Sequence, residues 1–281
     1  MELWYTEKHT QAAGITMKCR RTLFSQDSGI QRIDVIETEE FGRMLLLDGL
    51  VMTTERDEFF YHEMLVHPAV NLSSSPPAEV LVIGGGDGGA VRELMKYPCI
   101  RKIVLCEIDP MVVEVSRQFL PGISCALTEN DRLEMVFRDG EQYVGENEGR
   151  FDLLVVDSSD PIGAAEILFT TGFYEKCLKA LSDHGLMVVQ SESPIYHLPV
   201  MKRIKRALKE AGFPFVRFYT APVPTYPGGF WSWAVAFKDD GFPSKRRLFL
   251  PDEEIDRLKF FTPEILESCF VLPAFVKREL A

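Results

Sequence analysis

The chain is 281 residues long, 46% apolar and 26% charged, enough for a sizeable core in one large domain or in a large domain with a smaller companion. Its formal net charge is −11 and no basic stripe is visible, which argues against a nucleic-acid partner and favours cationic ligands. No run approaches the roughly 20 apolar residues of a membrane span, and the opening Met1-Glu-Leu-Trp-Tyr5 carries neither a basic nor an apolar leader region, so a cytoplasmic, non-exported protein is expected. Six cysteines without a C-x-x-C spacing, several inside apolar runs, are expected to be reduced, buried thiols.

Residues 14–54 alternate between apolar and polar positions in Ile15-Thr-Met-Lys18, Gln31-Arg-Ile-Asp-Val-Ile36 and Met44-Leu-Leu-Leu47, with turn signals at Ser28-Gly29, Phe41-Gly42 and Asp48-Gly49. A small antiparallel β-region follows from that pattern. Residues 56–70 have helical spacing, with Phe59, Met64 and Val66 among charges, and Ser73-Ser-Ser-Pro-Pro77 reads as a linker. The expected division is therefore 1–75, a β-rich domain with a helix leading to the linker, and 76–281.

Beyond the linker, apolar runs alternate with amphipathic stretches: Val80–Ile83, Ile103–Cys106, Leu153–Val156, Leu186–Val189 and Trp231–Phe237, with a further strand at Leu133–Phe137. Continuous apolar runs suit strands covered on both faces, so the second part reads as a Rossmann-like, doubly wound α/β sheet of the methyltransferase type. The last 35 residues are expected to pack as helices on that core.

The first of these strands runs into Gly84-Gly-Gly-Asp-Gly-Gly89, and Glu107 ends the next strand about 20 residues on. Glycines there let backbone approach a ligand, and an acid at that distance can hold ribose hydroxyls. The pattern points to a nucleoside but is shared by dinucleotide dehydrogenases and adenosylmethionine-dependent enzymes. Asp87 separates them: a carboxylate in the loop repels a pyrophosphate and attracts the amine and sulfonium of an adenosylmethionine-type ligand. The bland reading of Asp87 taken alone is a local helix-capping residue.

Other strand ends carry Asp139-Gly140, Asp157-Ser-Ser-Asp-Pro161 and Gln190-Ser-Glu192. In open α/β sheets ligands sit beyond the carboxyl ends of strands, so Glu107, Asp139, Asp157, Asp160 and Glu192 are expected on one rim. Like charges gathered in this way raise one another's pKa unless a ligand brings cations. In particular, Asp160 is expected to raise Asp157.

At this point the chain resembles the spermidine synthase family of aminopropyltransferases along nearly its whole length. The resemblance rests on Leu3-Trp-Tyr-Thr-Glu7, Leu47-Asp-Gly49, Thr54-Glu-Arg-Asp-Glu-Phe59, Tyr61-His-Glu63, the glycine loop, Asp157-Ser-Ser-Asp-Pro161 and Pro224-Thr-Tyr-Pro227. It implies transfer of an aminopropyl group from decarboxylated S-adenosylmethionine, a co-substrate and not a cofactor, to putrescine. Gln31, Glu107, Asp139 and Gly140 would hold the methylthioadenosine portion, and Asp87 the aminopropyl ammonium. Tyr61, His62, Asp160 and Tyr226 would surround the amine chain, and Asp157 would accept the proton of the attacking amine. A homodimer or homotetramer is implied as well. Ala164 departs from the Pro that many relatives carry there.

By residue type alone, Tyr61 and Tyr226 read equally well as core aromatics, and Phe230 and Trp231 as either core or walls of an acceptor pocket. His62 and His67 stand five apart, about 140° around a helix, which is wrong for a metal pair, so no metal is expected and His67 is taken as structural. The alternatives are a small-amine methyltransferase using intact adenosylmethionine and, on the glycine pattern alone, a nicotinamide-dependent oxidoreductase.

Overall fold

The computed structural model describes residues 2–161, 163–239 and 247–281, and of Ala164 the backbone only. Strands β1 (Leu3–Lys8), β2 (Gly14–Asp27), β3 (Arg32–Thr38), β4 (Arg43–Leu47) and β5 (Leu50–Thr54) form an antiparallel meander in that order. The Asp48-Gly49 turn carries positive φ at both residues, +50° and +80°, the geometry that matches a two-residue hairpin to the strand twist. Strand β1 lies outside the alternating region because most of its side chains are exposed at the sheet edge, leaving no pattern to read.

Helix α1 (Glu58–Leu72) leads to the second sheet and packs on it, contributing Met64, Leu65, Ala69 and Val70 to the same core as Val80, Val82 and Val155. Next come β6 (Glu79–Gly84), α2 (Gly89–Met95), β7 (Lys102–Glu107), α3 (Pro110–Phe119), β8 (Leu133–Phe137), α4 (Gly140–Gly145) and β9 (Phe151–Asp157). The series continues with α5 (Thr171–Ala180), β10 (Leu181–Gln190), α6 (Leu198–Glu210), β11 (Phe215–Pro222) and β12 (Phe230–Phe237). Short helices α7 (Asp252–Ile255), α8 (Pro263–Ser268) and α9 (Ala274–Glu279) close the chain.

The seven strands lie in the order β11-β12-β10-β9-β6-β7-β8. The five from β10 to β8 are parallel, and β12 runs antiparallel between β10 and β11. Both faces are covered: Val80, Val82 and Leu153 bury on one side, Leu81, Ile83 and Leu154 on the other, which is why these strands read as unbroken apolar runs. From β6 the chain winds outward through β7 and β8, then returns to place β9 on the other side of β6. That reversal opens a crevice between β6 and β9 at their carboxyl ends.

The carboxyl-terminal helices pack on both cores, through Phe261 and Leu266 on one face and Val276 on the other. Glu63 anchors the segment before them by accepting the N–H groups of Lys259, Phe260 and Phe261 at 2.8–2.9 Å. The cysteines are thiols, but Cys125 is exposed and Cys99 only half-buried, against the expectation of burial throughout.

Pro68 inside α1 removes the N–H that would have served the Met64 carbonyl one turn earlier. The buried Tyr219 hydroxyl donates to that carbonyl at 2.8 Å, so the helix continues without an orphaned acceptor. Tyr219→Phe is expected to cost about 1–2 kcal/mol, lowering Tm by a few degrees. Adding Pro68→Ala restores a donor and should erase most of that cost in thermal unfolding. Equal losses with and without Pro68→Ala would show that the hydroxyl is not compensating for the proline.

Candidate active site at the switch of the parallel sheet

The glycine loop turns back directly onto the end of β9. Gly85 donates its N–H to the Asp157 carbonyl at 3.0 Å, and a Cβ on Gly84, φ +78°, would stand 2.3 Å from that same oxygen. Only glycine permits this approach, and it sets the Asp87 and Asp157 carboxylates side by side.

Asp87 lines the cleft and also makes the local backbone bond its residue type allowed. One oxygen accepts the Gly89 N–H at 2.9 Å, a local turn at the start of α2. The other lies 3.3 Å from His62 Nε2. His62 sits beneath Gly89, where any Cβ would strike its ring at 2.3–2.4 Å. Its second nitrogen is 2.7 Å from Glu58, which Arg92 grips through both oxygens at 2.7 and 3.0 Å. Burial opposes charge on His62, yet Asp87 and Glu58 hold its pKa well above the usual imidazole value. Burial likewise opposes charge on Asp87, and the His62 cation outweighs it and holds the carboxyl below its ordinary value. His62, expected beside the amine, is therefore behind the wall and does not line the cleft.

The cleft has a volume of about 300 Å³ and brings together Gln31, Tyr61, Asp87, Glu107, Asp139, Gly140, Asp157, Asp160 and Tyr226. Glu107 accepts the N–H groups of Gly86 and Asp109 at 3.1 and 2.9 Å. Its burial still pushes the pKa up to about 7. Asp139 caps α4 by accepting the Gln142 N–H at 2.9 Å. Gln31 reaches across from the amino-terminal sheet and donates to Asp109 at 3.0 Å.

Asp157 accepts a hydrogen bond from Tyr61 at 2.7 Å, and its pKa is pushed up to about 6 by burial first and then by Asp87. Asp160 is not the cause, contrary to expectation. Asp160 instead faces Glu192, and burial followed by that neighbour raises it to about 8. Glu192 itself is no rim residue: it is 1% exposed, has φ +72°, and lies 2.8 Å from His197. The Tyr226 hydroxyl donates to the Met52 carbonyl of β5 at 2.5 Å, and its ring stands 5.4 Å from that of Tyr61.

Past Tyr61 the cleft continues into an extension of about 30 Å³ lined by Glu7, Asp160, Gln190, Tyr226 and Trp231. Trp231 is a wall, as its position after Pro224-Thr-Tyr-Pro227 suggested, whereas Phe230 is not among the lining residues. Glu7 accepts the Val51 N–H at 2.6 Å, and burial raises its pKa to about 7. Sequence reasoning gave Glu7 no role, because it sits in the pattern-poor edge strand. It also missed Asp109, although an Asp before Pro110 is a legible helix start, and Asp57, which fixes Thr225 through its N–H and hydroxyl at 2.9 and 2.8 Å.

His67 belongs to a separate buried group, 2.8 Å from the Tyr97 hydroxyl and 2.9 Å from Glu93. Among the described residues, His62, Asp87 and Asp157 can bring one atom each within 4.8 Å of one another, a cluster the His62/His67 spacing did not anticipate. Both His62 nitrogens already face carboxylates, so the imidazolium has no lone pair to give a metal. Among the described residues no helix is long and apolar enough to cross a membrane.

The fold, with an acidic cleft at the switch point of its parallel sheet, is that of a doubly wound α/β enzyme. Residues 58–245 match the family model for the spermine/spermidine synthase domain, and residues 3–55 the model for the spermidine synthase tetramerisation domain. The chain belongs to the spermine/spermidine synthase family. It is 45% identical over 278 residues to the polyamine aminopropyltransferase of Shouchella clausii, covering 99% of this chain and 98% of that one. With the polyamine aminopropyltransferase of Bacillus subtilis it shares 43% over 277 residues, 98% of each. A crystal structure of spermidine synthase with the transition-state analogue AdoDATO superposes at a TM-score of 0.91 and 39% identity, over 99% of this chain and 94% of that one. Spermidine synthase from Thermotoga maritima gives 0.88 and 38% over the same shares.

The position of His62 makes a prediction about stability. A raised folded pKa adds stability that is complete below about 6.5, the unfolded value, and fades as pH climbs toward the folded one. Asp87, with a lowered pKa, adds stability that is lost only as pH falls below about 4. His62→Asn is expected to cost about 3 kcal/mol at pH 6. In urea unfolding the gap to the wild type should narrow above pH 6.5 by up to about 1.4 kcal/mol per pH unit. A gap constant from pH 6 to 9 would mean that His62 is uncharged in the fold.

Proposed function

We propose that the protein is a spermidine synthase that transfers the aminopropyl group of decarboxylated S-adenosylmethionine to putrescine. The observation that carries this reading is the pairing of Asp87 and Asp157 across the glycine loop, continued by Asp160 toward the small extension. A row of buried carboxylates asks for a row of cations, and the two substrates bring a sulfonium, an ammonium and a diamine.

In this reading Glu107 accepts the ribose hydroxyls, and Asp139, Gly140 and Gln31 border the adenine end. Asp87, kept ionised by His62, holds the aminopropyl ammonium. The diamine lies along Tyr61 and Tyr226, one nitrogen at Asp157 and the other near Asp160. The near nitrogen attacks the carbon next to the sulfonium, the carbon–sulfur bond breaks toward sulfur, and neutral methylthioadenosine leaves. No oxyanion forms, so the residues contribute alignment, exclusion of water and a proton acceptor.

Asp157 is that acceptor. A carboxyl near 4 facing an alkylammonium near 10 is mismatched by about 8 kcal/mol, and raising the carboxyl to about 6 reduces this to about 5. The sulfonium beside the amine lowers the amine's own pKa and narrows the gap further. Tyr61 donates to one Asp157 oxygen and leaves the other for the proton.

His62 then acts from behind Asp87, and the reaction needs neither metal nor cofactor. A cytoplasmic location accords with the thiol cysteines. The half-exposed Leu3 and Trp4 on the β1 edge support a homodimer or homotetramer built through the amino-terminal sheet.

Incubation with decarboxylated S-adenosylmethionine and a panel of di- and polyamines should yield methylthioadenosine and spermidine, with putrescine preferred. Methyl transfer from intact adenosylmethionine instead would leave the pocket right and the transferred group wrong. Asp157→Asn should lower kcat by at least about 10³-fold while still binding methylthioadenosine. Turnover near the wild-type rate would remove Asp157 from the chemistry. Asp87→Ala should weaken the decarboxylated substrate by roughly 10–100-fold, about the worth of one charged hydrogen bond, with little change for methylthioadenosine.

A further inference from the structure

The charged groups behind the glycine loop form a closed circuit. Asp87 Oδ2 lies 3.3 Å from His62 Nε2, and His62 Nδ1 lies 2.7 Å from Oε2 of Glu58, one turn earlier on α1. Arg92 on α2 donates to both Glu58 oxygens at 2.7 and 3.0 Å, to Glu93 at 2.9 Å and to the Gly122 carbonyl at 3.2 Å. Glu93 is buried against Lys96 and His67. Asp87 and Arg92 flank Gly89 at the entry to α2, so the contacts return to their starting point through the backbone that carries Asp87. An ionised carboxylate only accepts, so an imidazole set between two of them carries a proton on each nitrogen. The guanidinium fork matches both Glu58 oxygens and keeps that carboxylate ionised and turned toward His62.

We infer that Glu58, anchored by Arg92, is a positioning residue for the decarboxylated substrate: it keeps His62 protonated on both nitrogens, and His62 in turn keeps Asp87 ionised and fixed in direction. Neither Glu58 nor Arg92 is among the described residues lining the cleft. Glu58 reaches a bound ammonium only through His62 and Asp87. The meeting of Asp87 with the aminopropyl ammonium rests on the proposed function; the effect of Glu58 on His62 does not.

Glu58→Gln separates charge from shape. Arg92 has only N–H groups to offer, so it takes the amide oxygen and leaves the amide NH2 facing His62 Nδ1, which must then accept. His62 becomes a neutral ring with its hydrogen on Nε2. Asp87 keeps a hydrogen-bond donor and loses a cation. It is then a second buried carboxylate beside Asp157, which itself titrates at about 6 even with His62 lowering it. Tyr61 and Tyr226 also look onto Asp87, and Arg92 favours its charge from behind. All three remain in the variant, so its difference from the wild type reports His62. Below its new pKa Asp87 must lose a proton before it can hold an ammonium, and KM for decarboxylated S-adenosylmethionine should rise by up to about tenfold per pH unit as pH falls. A loss of packing alone would raise KM without that slope.

The experiment reads His62 by nitrogen-15 imidazole NMR in the ligand-free protein from pH 6 to 8, and KM for decarboxylated S-adenosylmethionine over the same range at saturating putrescine. The wild type should show both His62 nitrogens protonated throughout, and Glu58→Gln a neutral ring by pH 8. The ratio of the variant's KM to that of the wild type should climb at least about fivefold from pH 8 to pH 6. For methylthioadenosine, which carries no ammonium, the ratio of affinities should stay constant. Arg92→Lys leaves a cation on Glu58 and should keep the wild-type profile, and in a His62→Asn background Glu58→Gln should add nothing to it. A wild-type His62 that is neutral in this range, a Glu58→Gln protein that retains the imidazolium, a KM ratio independent of pH, or the same slope in Arg92→Lys would each overturn the inference. Failure of the wild type to turn over any amine would instead sink the proposed function, and the nitrogen-15 spectra would still decide what Glu58 does to His62.

Discussion

The 3.3 Å contact between His62 and Asp87, closed over by Gly89, governs the charge of the cleft. In a site this buried, each carboxylate stays ionised only if something nearby compensates it. The chain supplies a buried imidazolium, wedged between Glu58 and Asp87 and backed by Arg92, and of the cleft carboxylates it is Asp87 that this charge holds below its ordinary pKa. Asp87 is held negative before any ligand arrives. The others are left to be compensated by what binds.

That division gives the cleft a gradient. Asp87 lies below its ordinary pKa, Asp157 rises to about 6, Glu107 to about 7 and Asp160 to about 8. Burial is the largest influence on each, so what separates them is the neighbour: a cation beside Asp87, the Asp87 carboxylate beside Asp157, backbone N–H groups around Glu107, a second carboxylate beside Asp160. A proton acceptor of the kind proposed has to be ionised and yet not too weak a base, and the pKa of about 6 at Asp157 lies in that middle ground. Two carboxylates a few residues apart in one loop thus acquire different properties from what packs behind them.

Composition and periodicity carried the architecture. Continuous apolar runs announced a sheet covered on both faces, and the strand ends carrying Asp87, Glu107, Asp139 and Asp157 do converge at the crevice. What stayed hidden was depth. Nothing in Tyr61-His-Glu63 distinguishes a ring that lines the cleft from one that supports it, or from a carboxylate serving backbone groups near residue 260. Strand-end position likewise predicted Glu192 on the rim, but positive φ turns it inward against His197. Orientation at a strand end depends on a few backbone angles, and those are set by tertiary neighbours that a linear pattern does not name. Strand β1 and Glu7 were lost for the opposite reason, since an exposed edge has no hydrophobic rhythm at all.

The amino-terminal meander is more than an appendage to the parallel sheet, because it supplies one side of the cleft. Leu45, Leu47, Leu50 and Met52 line it opposite the glycine loop. Polar ties hold the two parts in place: Gln31 and Ser28 to Asp109, Arg43 to the Phe119 carbonyl at 2.7 Å, and Tyr226 to the Met52 carbonyl. Each tie ends on a group next to the chemistry or on the helix that follows Glu107. A parallel sheet alone presents its strand ends to water, where carboxylates keep ordinary pKa values and cations are bound weakly. Covering those ends with a second, apolar sheet removes the water, and the raised pKa values of Asp157, Glu107 and Asp160 follow from that cover as directly as from the residues themselves.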